Sequence, residues 1–255
     1  MYLSQQALKH AHWKRKFMFD TSIINLLILV TIAGLAMPVG AVLATYEHIQ
    51  PQWREKEIRH GILALGAGAL ISAVGLVLVP KGVENLSVFA AVACFICGAL
   101  AFMFLDIYLA KKKTAGSQFA AMLSDFVPES IALGATAALG GSIMLLGALI
   151  AVQNLPEGFN AYREMVPKNK KRSTKLILIF MFMAMLGPIF SLVGYFYLAQ
   201  FPVITSGIML FAAGGILYSV FQDIAPQIRM ENHWLPPLGG ILGFLVGIVG
   251  HMIGG

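Results

Sequence analysis

With 255 residues, 58% of them hydrophobic and only 12% charged, this chain departs from soluble domains, in which about a quarter of residues are charged. A water-soluble core could not bury that much apolar sequence, so the composition excludes an ordinary soluble domain and points to lipid as the solvent. The net charge of +6 would suggest a nucleic-acid partner in a soluble protein. In a membrane protein it reads as the usual excess of Lys and Arg in cytoplasmic loops, and no nucleic-acid partner is expected.

Residues 1–16, "MYLSQQALKHAHWKRK", are polar and basic and read as a short interfacial segment. No small-residue cleavage site closes the first apolar run, so no cleavable signal peptide is expected. Apolar runs near the ~20 residues a bilayer requires follow at 20–45, 60–80, 87–110, 117–139, 142–164, 174–199, 203–227 and 235–254. The expected fold is therefore all-α: a polytopic membrane protein of eight transmembrane helices, one domain over 1–255, surrounded by membrane lipids. "LGGS" joins spans four and five and "AQFP" joins six and seven, so both pairs should be tight hairpins. The longest polar loop is "REMVPKNKKRSTK", 163–175. Cys94 and Cys97 form a CxxC inside an apolar helix with no second ligand pair nearby, and packing is the expected role.

Lys and Arg set the orientation. The N-terminal segment and the even-numbered loops hold Lys9, Lys14, Arg15, Lys16 and Lys81, and the odd-numbered loops hold the other thirteen of eighteen. The positive-inside rule puts the odd loops in the cytoplasm and both termini outside, although the basic N-terminal segment pulls the other way.

Four carboxylates fall at membrane depth: Asp125, Glu129, Glu157 and Asp223. Asp125 and Glu129 are four apart and share a helix face, as do Gln153 and Glu157, with Asn154 one turn from Glu157. A charge at the bilayer centre costs about 2.5–3.5 kcal/mol even on a lenient scale. No Lys or Arg lies between Asp125 and Glu157 to neutralise them. A divalent cation held by oxygen ligands would balance the charge. Pro128 and Pro156 each precede a carboxylate, and each frees the carbonyl four residues back, on Ser124 and Val152. Free carbonyls at this depth are tolerated where they line a cavity or bind ions. Helix–helix glue, at about 0.6 kcal/mol per polar residue, is the plainer account and suits Asn and Gln, but not three clustered carboxylates. Asp20 and Asp106, near span ends, read as solvated or capping residues. Met122 and His251 read as packing and interfacial residues.

"QNLPEG" in span five resembles the fifth-helix motif of the ZIP family of divalent metal transporters, and "DFVPES" falls on the family's fourth-helix "HNxPEG". "AAGGILYSVFQDIAPQ", 212–227, is similar to its seventh helix, which usually reads like "HEIIPE". The resemblance runs from span two onward, closest to a divergent prokaryotic branch. It implies a ZIP-like bundle in a bacterial or archaeal plasma membrane that carries a divalent cation through a site of Asp125, Glu129, Gln153, Asn154 and Glu157. Gln222 and Asp223 would mark the exit pathway. Two groups of spans would move against each other so that the site faces each side in turn. The cargo implied is zinc by resemblance, with manganese or iron close behind, because the motif has lost every His and imidazole favours the later metals. No prosthetic group or enzymatic activity is expected, and a homodimer is left open. Phe126 stands where the family has Asn, and Gly187, in "MLGPIFSLVGY", where it often has Glu, so a second metal site should be incomplete. Two other functions remain: a non-transporting metal sensor or scaffold, and, less favoured, an intramembrane hydrolase using Asp125 and Asp223.

Overall fold

The structure, a computed structural model, describes the backbone over 2–46, 52–112, 115–139, 142–166, 173–228 and 234–254, and side chains over 22–46, 57–111, 119–139, 142–166, 173–228 and 234–253. No strand occurs among the described residues. Helix α1 spans Tyr2–Tyr46, and α2 runs Gln52–Ala73 and on through a π-helical turn, Val74–Leu78, into Val79–Val83. Then come α3 (Val88–Lys112), α4 (Ala115–Ala138), α5 (Met144–Met165) and α6 (Thr174–Phe196). Helix α7 runs Pro202–Ser219, passes a second π turn at Val220–Ile224 and ends at Ala225–Ile228; α8 spans Leu235–Gly254.

Local chemistry sets several boundaries. The Ser87 hydroxyl accepts the Ala90 N–H at 3.3 Å and starts α3. Pro202 opens α7 at a position where its missing N–H costs nothing. The 3₁₀ turn Leu198–Gln200 makes the α6–α7 connection as tight as "AQFP" implies. The opening segment differs from expectation: the backbone is helical without a break from Tyr2, so 1–16 is not a separate short helix. Most of the basic loop, 167–172, lies outside the described residues, as do Gly140 and Gly141 of "LGGS" and the Asp20 side chain.

Six helical segments are long and apolar enough to cross a membrane, as an integral membrane protein requires: Ser22–Tyr46, Glu57–Val83, Val88–Lys111, Thr174–Gln200, Pro202–Ile228 and Leu235–Ile253. Expectation was eight. The two long helices outside this set are α4 and α5, which carry the clustered carboxylates and amides.

Glycine-mediated contact sorts the helices into pairs. Lipid tails are as apolar as Leu, so membrane helices associate through close packing of small residues rather than hydrophobic drive. A Cβ on Gly40 of α1 would run into the Leu155 carbonyl of α5, and one on Gly158 of α5 into that of Met37. The same reciprocity links α4 to α6 (Gly134 on Ser191, Gly194 on Ile131), α3 to α7 (Gly98 on Phe211, Gly214 on Phe95) and α2 to α8 (Gly68 on Gly240, Gly243 on Leu65). Helix α1 also packs along α6, and α2 against α7. Two four-helix groups result: α1, α4, α5 and α6, and α2, α3, α7 and α8. Between them, α2 packs along α5, where a Cβ on Gly66 would meet the Pro156 ring at 3.0 Å and the Gln153 carbonyl at 3.8 Å. Cys94 and Cys97, both free thiols, lie on α3, with Cys94 facing Gly207 of α7 in the packing role expected.

Candidate functional site

Two helical stripes build the site. On α4, Asp125 and Glu129 are one turn apart; on α5, Gln153, Glu157, Asn160 and Glu164 recur at helical spacing. Helix pairing brings the stripes together. The Gln153 amide donates from Nε2 to Glu129 Oε2 at 2.6 Å, both side chains fully buried. Asn154, next in sequence and so turned about 100° around the helix, faces elsewhere: its Nδ2 donates to the Ala33 carbonyl of α1 at 2.9 Å. Glu157 lies within electrostatic range of Asp125 and Glu129, Asp125 of Asp223, and Asp223 of Asp106.

Buried polar atoms almost always find a partner. Here one oxygen from each of Asp125, Glu129, Gln153, Asn154 and Glu157 is buried with none: Oδ1, Oε1, Oε1, Oδ1 and Oε2 in turn. All five are acceptors and three belong to carboxylates, a set that suits hard or borderline cations. Among the described residues, however, no three His, Cys, Asp or Glu side chains converge closely enough to hold a metal ion. In this arrangement a cation could draw on at most two carboxylates, with amide oxygens making up the rest.

A cavity of ≈ 330 Å³ leads from this cluster to one end of the bundle, between the two helix groups. Asp125, Glu157, Asn160 and Glu164 line one wall, and Asp106 and Asp223 the other. Met122, expected to pack, is buried yet also lines it. Glu129 and Gln153 lie deeper and do not. Asp223 sits in the π turn Val220–Ile224, a distortion that often marks functional sites. Gln222, its expected partner on the exit pathway, is exposed and does not line the cavity.

Asp106 corrects an expectation: it is not merely a solvated end residue but faces the same cavity, with the Tyr218 hydroxyl donating to its Oδ2 at 3.4 Å. Arg59 of α2 was not singled out from the sequence either. Its Nε donates to Asn160 Oδ1 at 3.3 Å, and its Nη2 lies 3.6 Å from Glu164 Oε1. At the other end of the bundle, Lys81 Nζ donates to Thr136 Oγ1 at 3.3 Å, joining α2 to α4. Asn85 donates to Ser206 at 3.2 Å, and Ser206 in turn to the Lys81 carbonyl. Of these bonds, Lys81 to Thr136 crosses the group boundary, and the same residues line a second cavity of ≈ 220 Å³ at that end.

Phe126 is fully buried beside the cluster, its ring against Gly187 and Gly34. A Cβ at Gly187 would lie 2.6 Å from Phe126 Cζ. The bulky residue on α4 and the missing side chain on α6 are complementary, and hydrocarbon fills the space between them.

No protein-family model matches the chain, and no curated protein matches it either.

Proposed function

We propose that the protein carries divalent cations across a membrane, crossing it eight times, with α4 and α5 as interior spans shielded by the six apolar segments. One observation carries the reading: the buried oxygens without a donor on Asp125, Glu129, Gln153 and Glu157, three of them on carboxylates, at the head of a cavity open toward one end. Carboxylates at bilayer depth are costly unless paired. A passing cation is the partner that the missing Lys and Arg do not supply. The ZIP-like motifs point the same way and make zinc the first cargo to test. The all-oxygen donor set gives manganese and iron nearly equal standing.

The cavity lies at the end where the Lys- and Arg-rich loops join the helices, so in this reading it opens to the cytoplasm and both termini face outward. Ions would arrive from the other side once the bonds around Lys81 part, bind at Glu129, Gln153 and Glu157, and leave past Asp125 and Asp223. The cavity between the two helix groups supports such a movement. Phe126 against Gly187 supports one cation site rather than two.

A second reading, a metal sensor or scaffold that does not transport, draws on the incomplete convergence of the carboxylates. Flux into proteoliposomes separates the two. With Zn²⁺, Mn²⁺, Fe²⁺ and Cd²⁺ outside, the transporter takes up at least one ion, and Glu157→Ala abolishes uptake. Folded protein that binds an ion tightly and moves none supports the sensor.

A further inference from the structure

The polar stripe on α5 ends against a positive charge. Gln153, Glu157, Asn160 and Glu164 follow one helix face, and the last three line the cavity. Five carboxylates line it in all, Asp106, Asp125, Glu157, Glu164 and Asp223, and no basic side chain among the described residues does. Arg59 reaches this wall from α2, in the other helix group, and holds its last two members.

A guanidinium has donors and no acceptor, so what it takes from Asn160 must be the amide oxygen. Asn160 is 7% exposed, and its Nδ2 is buried with no partner. One lone pair of its only acceptor atom is therefore taken by a cation the protein itself supplies, and so is one carboxylate oxygen of Glu164. A divalent ion moving from Glu157 toward the mouth meets Asn160 one turn on and Glu164 one turn beyond. Both are the oxygen ligands it would otherwise bind.

We propose that Arg59 is a positioning residue for ion release, which rests on the transport reading above: by holding Asn160 Oδ1 and Glu164 it withholds ligands from the cargo. The cavity below Glu157 then binds weakly and empties. Because Arg59 and its two partners stand on opposite helix groups, the contact also forms only while the groups sit as they do here. Ligands are withheld in the release arrangement and become free when the groups shift.

The test uses the full chain, purified and reconstituted, with Mn²⁺ as probe. Arg59→Gln removes the charge held against Glu164 but keeps an amide that can donate to Asn160, so Arg59→Met, which has no donor and frees both partners, is measured beside it. The expected result is Mn²⁺ binding tighter by about fivefold, the size of a partly exposed ion pair, with KM for uptake and maximal rate falling together. Arg59→Lys, which keeps the charge and a donor, should stay near wild type. Asn160→Ala in the Arg59→Met background should return affinity toward wild type, because the freed oxygen is gone. Should Arg59→Gln not fold, Arg59→Met, neutral and of similar length, carries the same expectations. Folded Arg59→Gln or Arg59→Met protein with unchanged or weaker Mn²⁺ affinity overturns the proposal. So does a lower melting temperature with unchanged KM, which marks a purely structural contact. Wild-type protein that neither binds nor moves Mn²⁺, Zn²⁺, Fe²⁺ or Cd²⁺ overturns the transport reading, and this proposal with it.

Discussion

Substituting Gly187 with Ala should expose how tightly the ring of Phe126 fills the space beside the carboxylates. The new Cβ would lie 2.6 Å from Cζ and 3.1 Å from Cε1 of that ring, and 3.1 Å from Val30 Cγ2. Carbon atoms prefer about 3.5–4.0 Å, so the ring must move by nearly 1 Å. It has little room, because a Cβ on Gly34 would already lie 3.1 Å from the same Cζ. Overpacking of this kind costs about 1–3 kcal/mol. Phe126→Leu keeps most of the volume, should cost under about 1.5 kcal/mol, and removes the atoms that clash. In that background Gly187→Ala should be nearly neutral, helped by the ~1 kcal/mol by which Ala exceeds Gly in helix propensity. Unfolding of the two single variants and the double variant in mixed micelles gives the coupling directly. A coupling of about 1–3 kcal/mol, with the double variant more stable than the sum predicts, is expected. Costs that add within about 0.5 kcal/mol would refute the claim that these two residues share one volume.

Gln153→Leu leaves the buried Glu129 oxygen without its donor, a loss of about 1–3 kcal/mol for an unsatisfied buried polar group; a lower melting temperature and loss of metal uptake are expected, and unchanged uptake would remove Gln153 from the site. Gly158→Ala drives a Cβ into the Met37 carbonyl, whereas Gly75→Ala meets nothing within 4 Å. The first should abolish recovery of folded protein and the second leave it unchanged, as size-exclusion chromatography in detergent would report. Asp106→Asn should slow metal uptake severalfold without abolishing ion binding, since Asp106 lines the cavity but not the buried cluster; complete loss of binding would put it among the ligands instead.

The face-to-face stripes of α4 and α5 were legible because helical spacing is a local property. Asp125 with Glu129, and Gln153 with Glu157, share faces whatever the rest of the chain does, and a short hairpin makes the faces neighbours. Which way Asn154 turns was not legible, because its partner is a carbonyl of α1, 121 residues away in sequence. Asp106, Asn160, Glu164 and Arg59 escaped for the same reason. Each looks like a solvated residue near a helix end until packing of α2, α3 and α7 around α4 and α5 encloses them. The π turn that carries Asp223 leaves no pattern in composition. Helix α1 exceeds its apolar run because polar residues such as Ser4 to His12 can continue a helix that hydropathy no longer marks. Glycine-rich stretches such as "GAGAL" suit close helix packing, but only the partners of each glycine reveal two groups of four helices.

The central claim is that the buried oxygens of Asp125, Glu129, Gln153 and Glu157 hold a cation. Locating a heavy divalent ion answers it most directly: crystals grown with Cd²⁺, and anomalous difference density measured for wild type and Glu157→Ala. The account predicts one strong peak between α4 and α5, within coordination distance of Glu157 and of Glu129 or Asp125, and its disappearance in the variant. No peak there in well-ordered wild-type crystals, or a peak that persists without Glu157, would contradict it.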